Sequence, residues 1–411
     1  MNAQFDTDGD AVLLTPRFTE DPYALYALLR TQRPVTKVQV PGGPPAWLVT
    51  RYEDVRAGLA DRRLSKDITA ALDDLRAAGA GVAAVTLDDF DVHDHMLNSD
   101  PPKHTRLRKL VTKAFTTRAI AGLRPRIQEL AEELVDALAK RLADGERSVD
   151  LIDALAFPLP MKVICEILGV PEDRRTAFRK WSHAVLSPAS PAEFVTASAE
   201  MTEYLSVLVA EKRDRPGEDI LSAIVAADEH GDRLSDSEAT GMASLLLVAG
   251  HETTMNLIGN GVLALLKDRA QWDRLRREPG LLTGAVEEFL RIDSPVNTAT
   301  VRFATEPVTI GATTVLPGST VLLAIGSANR DPEVFERPDE IDLQRPRGKS
   351  LAFGHGIHYC LGAALARMEG EIAFRVLADR VPTLALAVEP GSLNWQSSLL
   401  IRGLTELPVR A

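Results

Sequence analysis

The run Met242 to Leu266, MASLLLVAGHETTMNLIGNGVLALL, sets the tightest limit on how this chain folds. It reads as one long helix that is apolar on nearly every face, the pattern of a helix buried in the core of a large protein. A membrane span needs a comparable length of apolar residues, but His251, Glu252 and Asn256 interrupt this one. Burying a glutamate and threonines in mid-helix costs several kcal/mol unless they are hydrogen-bonded or face water. The polar centre Ala249 to Thr254 is therefore a place where the core has to offer partners or an opening. Ala249 and Gly250 leave the helix surface thin where that centre begins.

The remaining sequence supplies the core such a helix needs. The chain has 411 residues, with 45% hydrophobic and 26% charged. Helical patterns dominate from Lys103 to about Arg291, broken at Phe157-Pro158, Gly169 to Pro171, Ser187 to Pro191 and Arg215 to Gly217. Near the start, Asp21 to Arg30 reads as a helix with an aspartate cap and a proline at its first position. Val35 to Val40 and Ala46 to Thr50 flank PGGPP and read as a hairpin. Residues 66–99 show no sustained period and read as a long irregular loop. After Asp293 short β-like pieces appear at Val308 to Ile310, Thr313 to Val315 and Thr320 to Ala324. A meander from Arg330 to Gly348 follows, then one helix after Cys360 and an alternating tail. No linker or repeat divides the chain, so we expect one domain over 1–411, mainly α with a smaller β-rich region (α+β).

Charge and cysteine content narrow the function classes. A net charge of −11 argues against general nucleic-acid binding. Two cysteines make no disulfide framework. The start MNAQFDTDGDAVLLTPRF lacks the basic and apolar regions of a signal peptide. These features predict a cytoplasmic protein without a membrane anchor.

Cys165, in MKVICEIL, reads as a core residue. Cys360 is different. It lies in FGHGIHYCLG, just before a helical pattern, where unpaired N–H groups and the helix dipole favour thiolate over thiol. Gly354 and Gly356 let the loop fold tightly around the sulfur, and Gly362 removes a side chain where something flat could lie. A nucleophile paired with histidine, a zinc site with His355 and His358, and a haem ligand all want such a thiolate.

Phe353, Gly354, Gly356, His358, Cys360 and Gly362 resemble the haem-binding loop of the cytochrome P450 family. The resemblance implies that family's fold, a triangular prism of helices around a buried haem. It implies haem b, iron protoporphyrin IX, with the Cys360 thiolate as axial ligand favouring O–O cleavage. Phe353 would pack beside the sulfur and His358 would reach a propionate. AGHETT is similar to the family's oxygen-binding groove, so Ala249 would lie against the haem, Thr253 would hold a water network and Glu252 would relay protons. His251 stands at the variable position and receives no catalytic role. His104 and Arg108, on one helix face, and Arg302 stand where the family places propionate partners. Glu288 and Arg291, three apart, and Arg345 match a buried structural triad.

The likeness also implies partners: O2, and a ferredoxin and ferredoxin reductase carrying NAD(P)H-derived electrons. Between Lys103 and Arg126 there are eight Lys or Arg and no acid, a local basic face suited to an acidic carrier; Arg347 and Lys349 extend it. The implied reaction is hydroxylation or epoxidation of a bulky apolar substrate. Leu97, Val248, Ala249, Val296, Thr298 and Leu400 are the candidate contacts, and SDPPKHTRLRKLV and LLLVAGHETT resemble actinobacterial members that oxidise macrolides and other polyketides. A peroxide-driven haem enzyme, a non-catalytic haem protein and a Cys-His hydrolase are the alternatives.

Overall fold

The computed structural model describes residues 7–8, 11–40, 45–67, 94–171, 174–186 and 190–411. The chain is 56% helical with smaller sheets, so the expected class holds. Two compact units emerge. The first combines Met1–Val82, Gly284–Cys360 and Asn394–Thr405, and the second Ala83–Thr283, Leu361–Leu393 and Glu406–Ala411.

The first unit is organised on a seven-stranded sheet. The expected hairpin forms: Val35–Gln39 pairs antiparallel with Pro45–Val49. Thr320–Leu323 lies parallel to Pro45–Val49 and antiparallel to Arg302–Ala304, which pairs with Leu64–Ser65. Alternation along these strands sends Val35, Val49, Val321 and Leu323 into one core with Val55, Leu59 and Phe335. Val38, Ala46, Leu48 and Leu322 enter another with Tyr26 and Leu29. The opposite-face rule of a strand thus feeds two cores from one sheet. Val308–Ile310 and Thr313–Val315 form a separate two-stranded hairpin.

The helix expected over Asp21 to Arg30 departs slightly from expectation. It runs Tyr23–Gln32, with Pro22 at the cap position. Asp21 Oδ1 accepts the Tyr23 N–H at 3.1 Å. The proline therefore stands before the helix rather than inside it.

The second unit surrounds the apolar helix read from the sequence, which spans Asp236–Lys267. Ser235 accepts from Glu238 N–H while the Glu238 side chain accepts from Ser235 N–H, a reciprocal cap that sets where the helix begins. The helices Pro158–Leu168, Pro191–Asp214 and Ala363–Arg380 pack on it, as does Ile152–Ala156. The break expected at Phe157-Pro158 is a change of winding: Ile152–Ala156 is a π turn, and an α-helix follows at Pro158. Gly169 caps that helix in the left-handed conformation. Cys165 is fully buried, as a core residue should be.

Most of the irregular stretch expected over 66–99 lies outside the described residues. Its end, Met96–Asn98, is a single 3-10 turn. Among the described residues, no helix is long and apolar enough to cross a membrane.

Candidate active site

The cysteine loop closes on itself in the first unit. Cys360 N–H donates to Phe353 O at 2.9 Å, and Gly354 N–H to Leu351 O at 2.8 Å. Gly354 and Gly356 both have positive φ, 74° and 77°, where a side chain would strain the backbone. A Cβ on Gly356 would also stand 3.1 Å from Leu59 O. The Phe353 and Tyr359 rings lie 6.4 Å apart on either side of this turn in sequence. Cys360 and His358 are half-buried. Gly362 takes the N-cap position of Ala363–Arg380, so the cysteine precedes the helix by two residues more than a cap would.

A buried network fastens the approach to this loop. Glu288 accepts from Arg291 at 2.8 Å and from Arg345 at 3.1 Å. Arg291 also donates to the carbonyls of Asn329, Pro338 and Glu340, which fixes the meander. Asn329 carries the chain of bonds onward: its Nδ2 donates to Ser294 Oγ and its Oδ1 accepts Leu351 N–H at 2.7 Å. Tyr52 adds a second tie through its hydroxyl to Lys349 O at 2.7 Å. Neither Asn329 nor Tyr52 is legible in the sequence as a site residue, because their partners lie far away along the chain.

Arg302 is buried at 5% exposure on its strand. Its two terminal nitrogens donate to Leu64 O and Leu59 O, each at 3.1 Å. Those bonds hold the guanidinium plane in place.

Val296, Thr298 and Leu400 come together in the same unit. Asn297 N–H donates to Leu400 O, Arg402 N–H to Pro295 O, and Thr298 Oγ1 to Leu399 O. Val296 faces Ile401 across an isolated bridge. The ends of the two zipped segments meet at a buried cluster. Asp293 accepts from Arg402 Nε at 2.9 Å and from the Tyr23 hydroxyl at 2.7 Å.

In the second unit the polar centre of the long helix is not turned to solvent: His251 and Glu252 are 0% and 6% exposed. Exposure in the middle of this helix instead gathers at Ala249, with Val248, Gly250 and Thr253 half-covered. Ala249 and Thr253 are one turn apart and share a face. Thr253 Oγ1 donates to Ala249 O at 2.6 Å and Thr254 Oγ1 to Gly250 O at 3.0 Å. These paired back-bonds spend the hydroxyl protons on the helix and leave the Thr253 oxygen as an acceptor, with a local bend as the usual result.

His104 is buried and Arg108 half-buried on the helix Lys103–Thr112. Burial, then the Arg108 charge, hold the His104 imidazole below its ordinary pKa. Leu97 is half-buried in the 3-10 turn just before. The basic stretch is less bare than its sequence suggests. Lys103 pairs with Asp94, Arg106 with Asp232 and Glu238, and Lys109 and Lys113 with Glu229. Arg124 meets Glu371, and Arg126 meets Glu129 and Glu166.

Two further polar residues carry no signal in the sequence. Asn256 and Glu369 are buried on two helices that pack together, and both Asn256 side-chain polar atoms and Glu369 Oε2 lack a hydrogen-bond partner among the described residues. Desolvation pushes the Glu369 carboxyl up to about 8. A zinc site gains no support: among the described residues, no group of three His, Cys, Asp or Glu could hold a metal ion.

Comparison with known proteins places the chain in a family. The family model described as cytochrome P450 matches residues 65–173 and 178–377. Cytochrome P450 monooxygenase PikC of Streptomyces venezuelae is 50% identical over 394 residues, 96% of this chain and 92% of the relative. The 6-deoxyerythronolide B hydroxylase of Saccharopolyspora erythraea is 42% identical over 402 residues, 96% of each chain. The solved structure of tirandamycin C-bound P450 monooxygenase TamI superposes with a TM-score of 0.87 at 48% identity, covering 97% of this chain and 99% of that one. This chain belongs to the cytochrome P450 family of haem-thiolate monooxygenases.

Proposed function

We propose that this chain is a cytoplasmic monooxygenase that hydroxylates or epoxidises a bulky apolar natural product of the macrolide or polyketide kind. The observation that carries the reading is the Cys360 loop. Cys360 is half-buried, its backbone is closed by the Phe353 bond, and Gly354 and Gly356 hold positive φ, where a side chain strains the backbone. A single soft thiolate with cationic and imidazole side chains as anion partners suits haem b rather than a bare metal ion. The bound haem would supply oxygen activation.

The protein's own groups have distinct tasks. Cys360 would ligate the iron. Phe353 would cover the sulfur, and Gly362 would leave room beside it. Arg302, with His358, and His104 with Arg108 would neutralise the two propionates. Ala249 would give the cofactor a flat approach to its helix. Thr253, its proton committed to Ala249 O, would accept a hydrogen bond from water and hold it in place. Glu252 would pass protons inward from its buried position. Leu97, Val248, Ala249, Val296, Thr298 and Leu400 would shape the substrate pocket. Most are apolar, and such walls exclude water and orient a C–H bond or alkene. We read residues 1–411 as one catalytic domain.

Substrate class follows from likeness: one relative is named as a 6-deoxyerythronolide B hydroxylase and one solved structure holds tirandamycin C. Electrons would come from a ferredoxin and its reductase. The paired lysines and arginines of 103–126 stay partly exposed, so an acidic carrier would exchange with their present acidic partners. The carbon-monoxide spectrum of the reduced protein tests the centre of this reading. A far-red Soret band is expected, lost in Cys360→His. Retention of that band without the Cys360 sulfur overturns the reading. A screen of macrolides for type I spectral shifts, with 18O2 incorporation into product, tests the substrate class.

A further inference from the structure

His251 is a buried ionisable side chain of the long helix that the reaction above leaves unused. Its Nδ1 lies 2.8 Å from Leu247 O. A carbonyl oxygen only accepts, so Nδ1 carries the proton. In a neutral ring Nε2 is then an acceptor alone. Burial keeps the ring neutral by lowering its pKa, against an opposite pull from Glu252. Two groups face Nε2. Ser182 Oγ, on the helix Arg175–Leu186, is 3.0 Å away. Glu252 Oε2 is 3.6 Å away. The Phe157 ring stands edge-on at 6.1 Å, with the Arg179 guanidinium 4.3 Å over that ring and paired with Asp153.

The contact between Nε2 and the carboxylate is attractive only when the pair holds one more proton. With both groups bare, two lone pairs oppose each other, and a small closure to hydrogen-bond distance would be unfavourable. With Glu252 protonated, its O–H has a fixed acceptor beside it. Ser182 serves the other state. Its hydroxyl lies 2.8 Å from Phe178 O as well as 3.0 Å from Nε2, so it can turn from the carbonyl to the ring whenever the carboxyl is ionised.

We propose that His251 is a positioning residue for Glu252: its Nε2 accepts the carboxyl O–H when Glu252 is protonated and the Ser182 hydroxyl when it is not. This rests on the reading of Glu252 as the group that moves protons. One imidazole then orients the carboxyl when it is protonated, keeps its own place through the Ser182 hydroxyl when the carboxyl is ionised, and links this part of the long helix to the helix Arg175–Leu186. Replacing the ring removes the acceptor that fixes the carboxyl O–H, and a proton held in several orientations is delivered at the wrong time. The lost timing releases peroxide in place of product.

The test uses the haem-loaded protein with His251→Phe, His251→Gln, Ser182→Ala and Glu252→Gln. The first readout is nitrogen NMR of labelled histidine in the reduced, carbon-monoxide-bound form. A neutral ring protonated on Nδ1 is expected, with the Nε2 resonance moving in Ser182→Ala and in Glu252→Gln. A proton on Nε2, or a resonance indifferent to both variants, overturns the proposal whatever the catalytic reading. The second readout is product formed per reduced nicotinamide consumed. His251→Phe should lower it several-fold with a matching rise in peroxide, His251→Gln should restore at least half, and Ser182→Ala should fall between. A His251→Phe enzyme coupled like the wild type, or a glutamine variant no better than phenylalanine, overturns it. Should the phenylalanine variant fail to fold, wild-type coupling in both His251→Gln and Ser182→Ala, with an unmoved Nε2 resonance, overturns it. A wild type that makes no oxygenated product sinks the parent reading instead, and the resonance test still decides this one.

Discussion

Arg291 donates through Nε and Nη2 to the two carboxylate oxygens of Glu288, both at 2.8 Å, with each side chain 2% exposed. Arg345 shares the same carboxylate from the meander. Removing one partner of such a pair leaves an uncompensated buried charge. Glu288→Ala or Arg291→Ala should therefore destabilise the protein by about 3–5 kcal/mol, read as a lower urea midpoint and a loss of bound haem. Arg291→Lys should rescue little, because an ammonium cannot reach the carbonyls of Asn329, Pro338 and Glu340 together with Glu288. A lysine variant as stable as the wild type would show that charge alone suffices.

Thr253 keeps its acceptor lone pairs free of the helix by donating to Ala249 O. Thr253→Ala should consume reductant at a rate similar to the wild type while product per electron falls several-fold and peroxide rises. Thr253→Ser should keep coupling, since the same back-bond can form. Full coupling in the alanine variant would remove Thr253 from proton delivery.

Glu369 gives a pH signature. Burial raises its carboxyl from an ordinary 4.5 to about 8. The folded chain thus holds a proton that the unfolded chain releases. Wild-type stability should fall as pH rises from about 4.5 towards 8 and level off above it, by up to ~1.4 kcal/mol per pH unit from this group. Glu369→Gln should lack that slope. Urea midpoints at pH 5, 6 and 7 measure the difference, and parallel wild-type and variant curves would place the carboxyl in contact with water.

Asp293 has the opposite sign. Burial raises its pKa, but Arg402 and Arg330 outweigh burial and leave it below the usual 3.8. Its contribution to stability is present above pH 3.8 and lost as pH falls through the lower folded value. The same pair closes the zipped segments that carry Val296, Thr298 and Leu400. Arg402→Gln should weaken the type I spectral response to a wide ligand by about tenfold, on the order of 1.4 kcal/mol, and leave the carbon-monoxide spectrum unchanged. Unaltered ligand ranking would show that the pocket walls stand without this pair.

Much of the molecule is legible in its residues alone. The apolar helix with its polar centre, the hairpin around PGGPP, the Glu288-Arg291 pair and the cysteine loop all carry their reason in residues a few positions apart. Helix period, turn chemistry and a positive-φ glycine are local properties, and local properties are written locally. The displaced helix start at Tyr23 shows the limit of that reasoning. A proline and an aspartate announce a beginning, but the backbone decides which of them stands inside it. The basic stretch 103–126 shows a stronger limit. Its composition reads as one positive face, yet Glu229 and Asp232 arrive from a distant turn, and Glu238 from the first turn of the long helix, to pair with it.

By itself the sequence determined the kind of helix at the centre, the order of the motifs, and the glycine-rich loop that carries Cys360. The tertiary structure alone decided who faces whom. It set Ser182 against His251, Asn329 against the cysteine loop, Arg402 against Asp293, and the carbonyls of Leu59 and Leu64 against Arg302. A repeat of 3.6 or 2 says which face of an element is covered. The group that covers it comes from elsewhere in the chain, and only packing brings the two together.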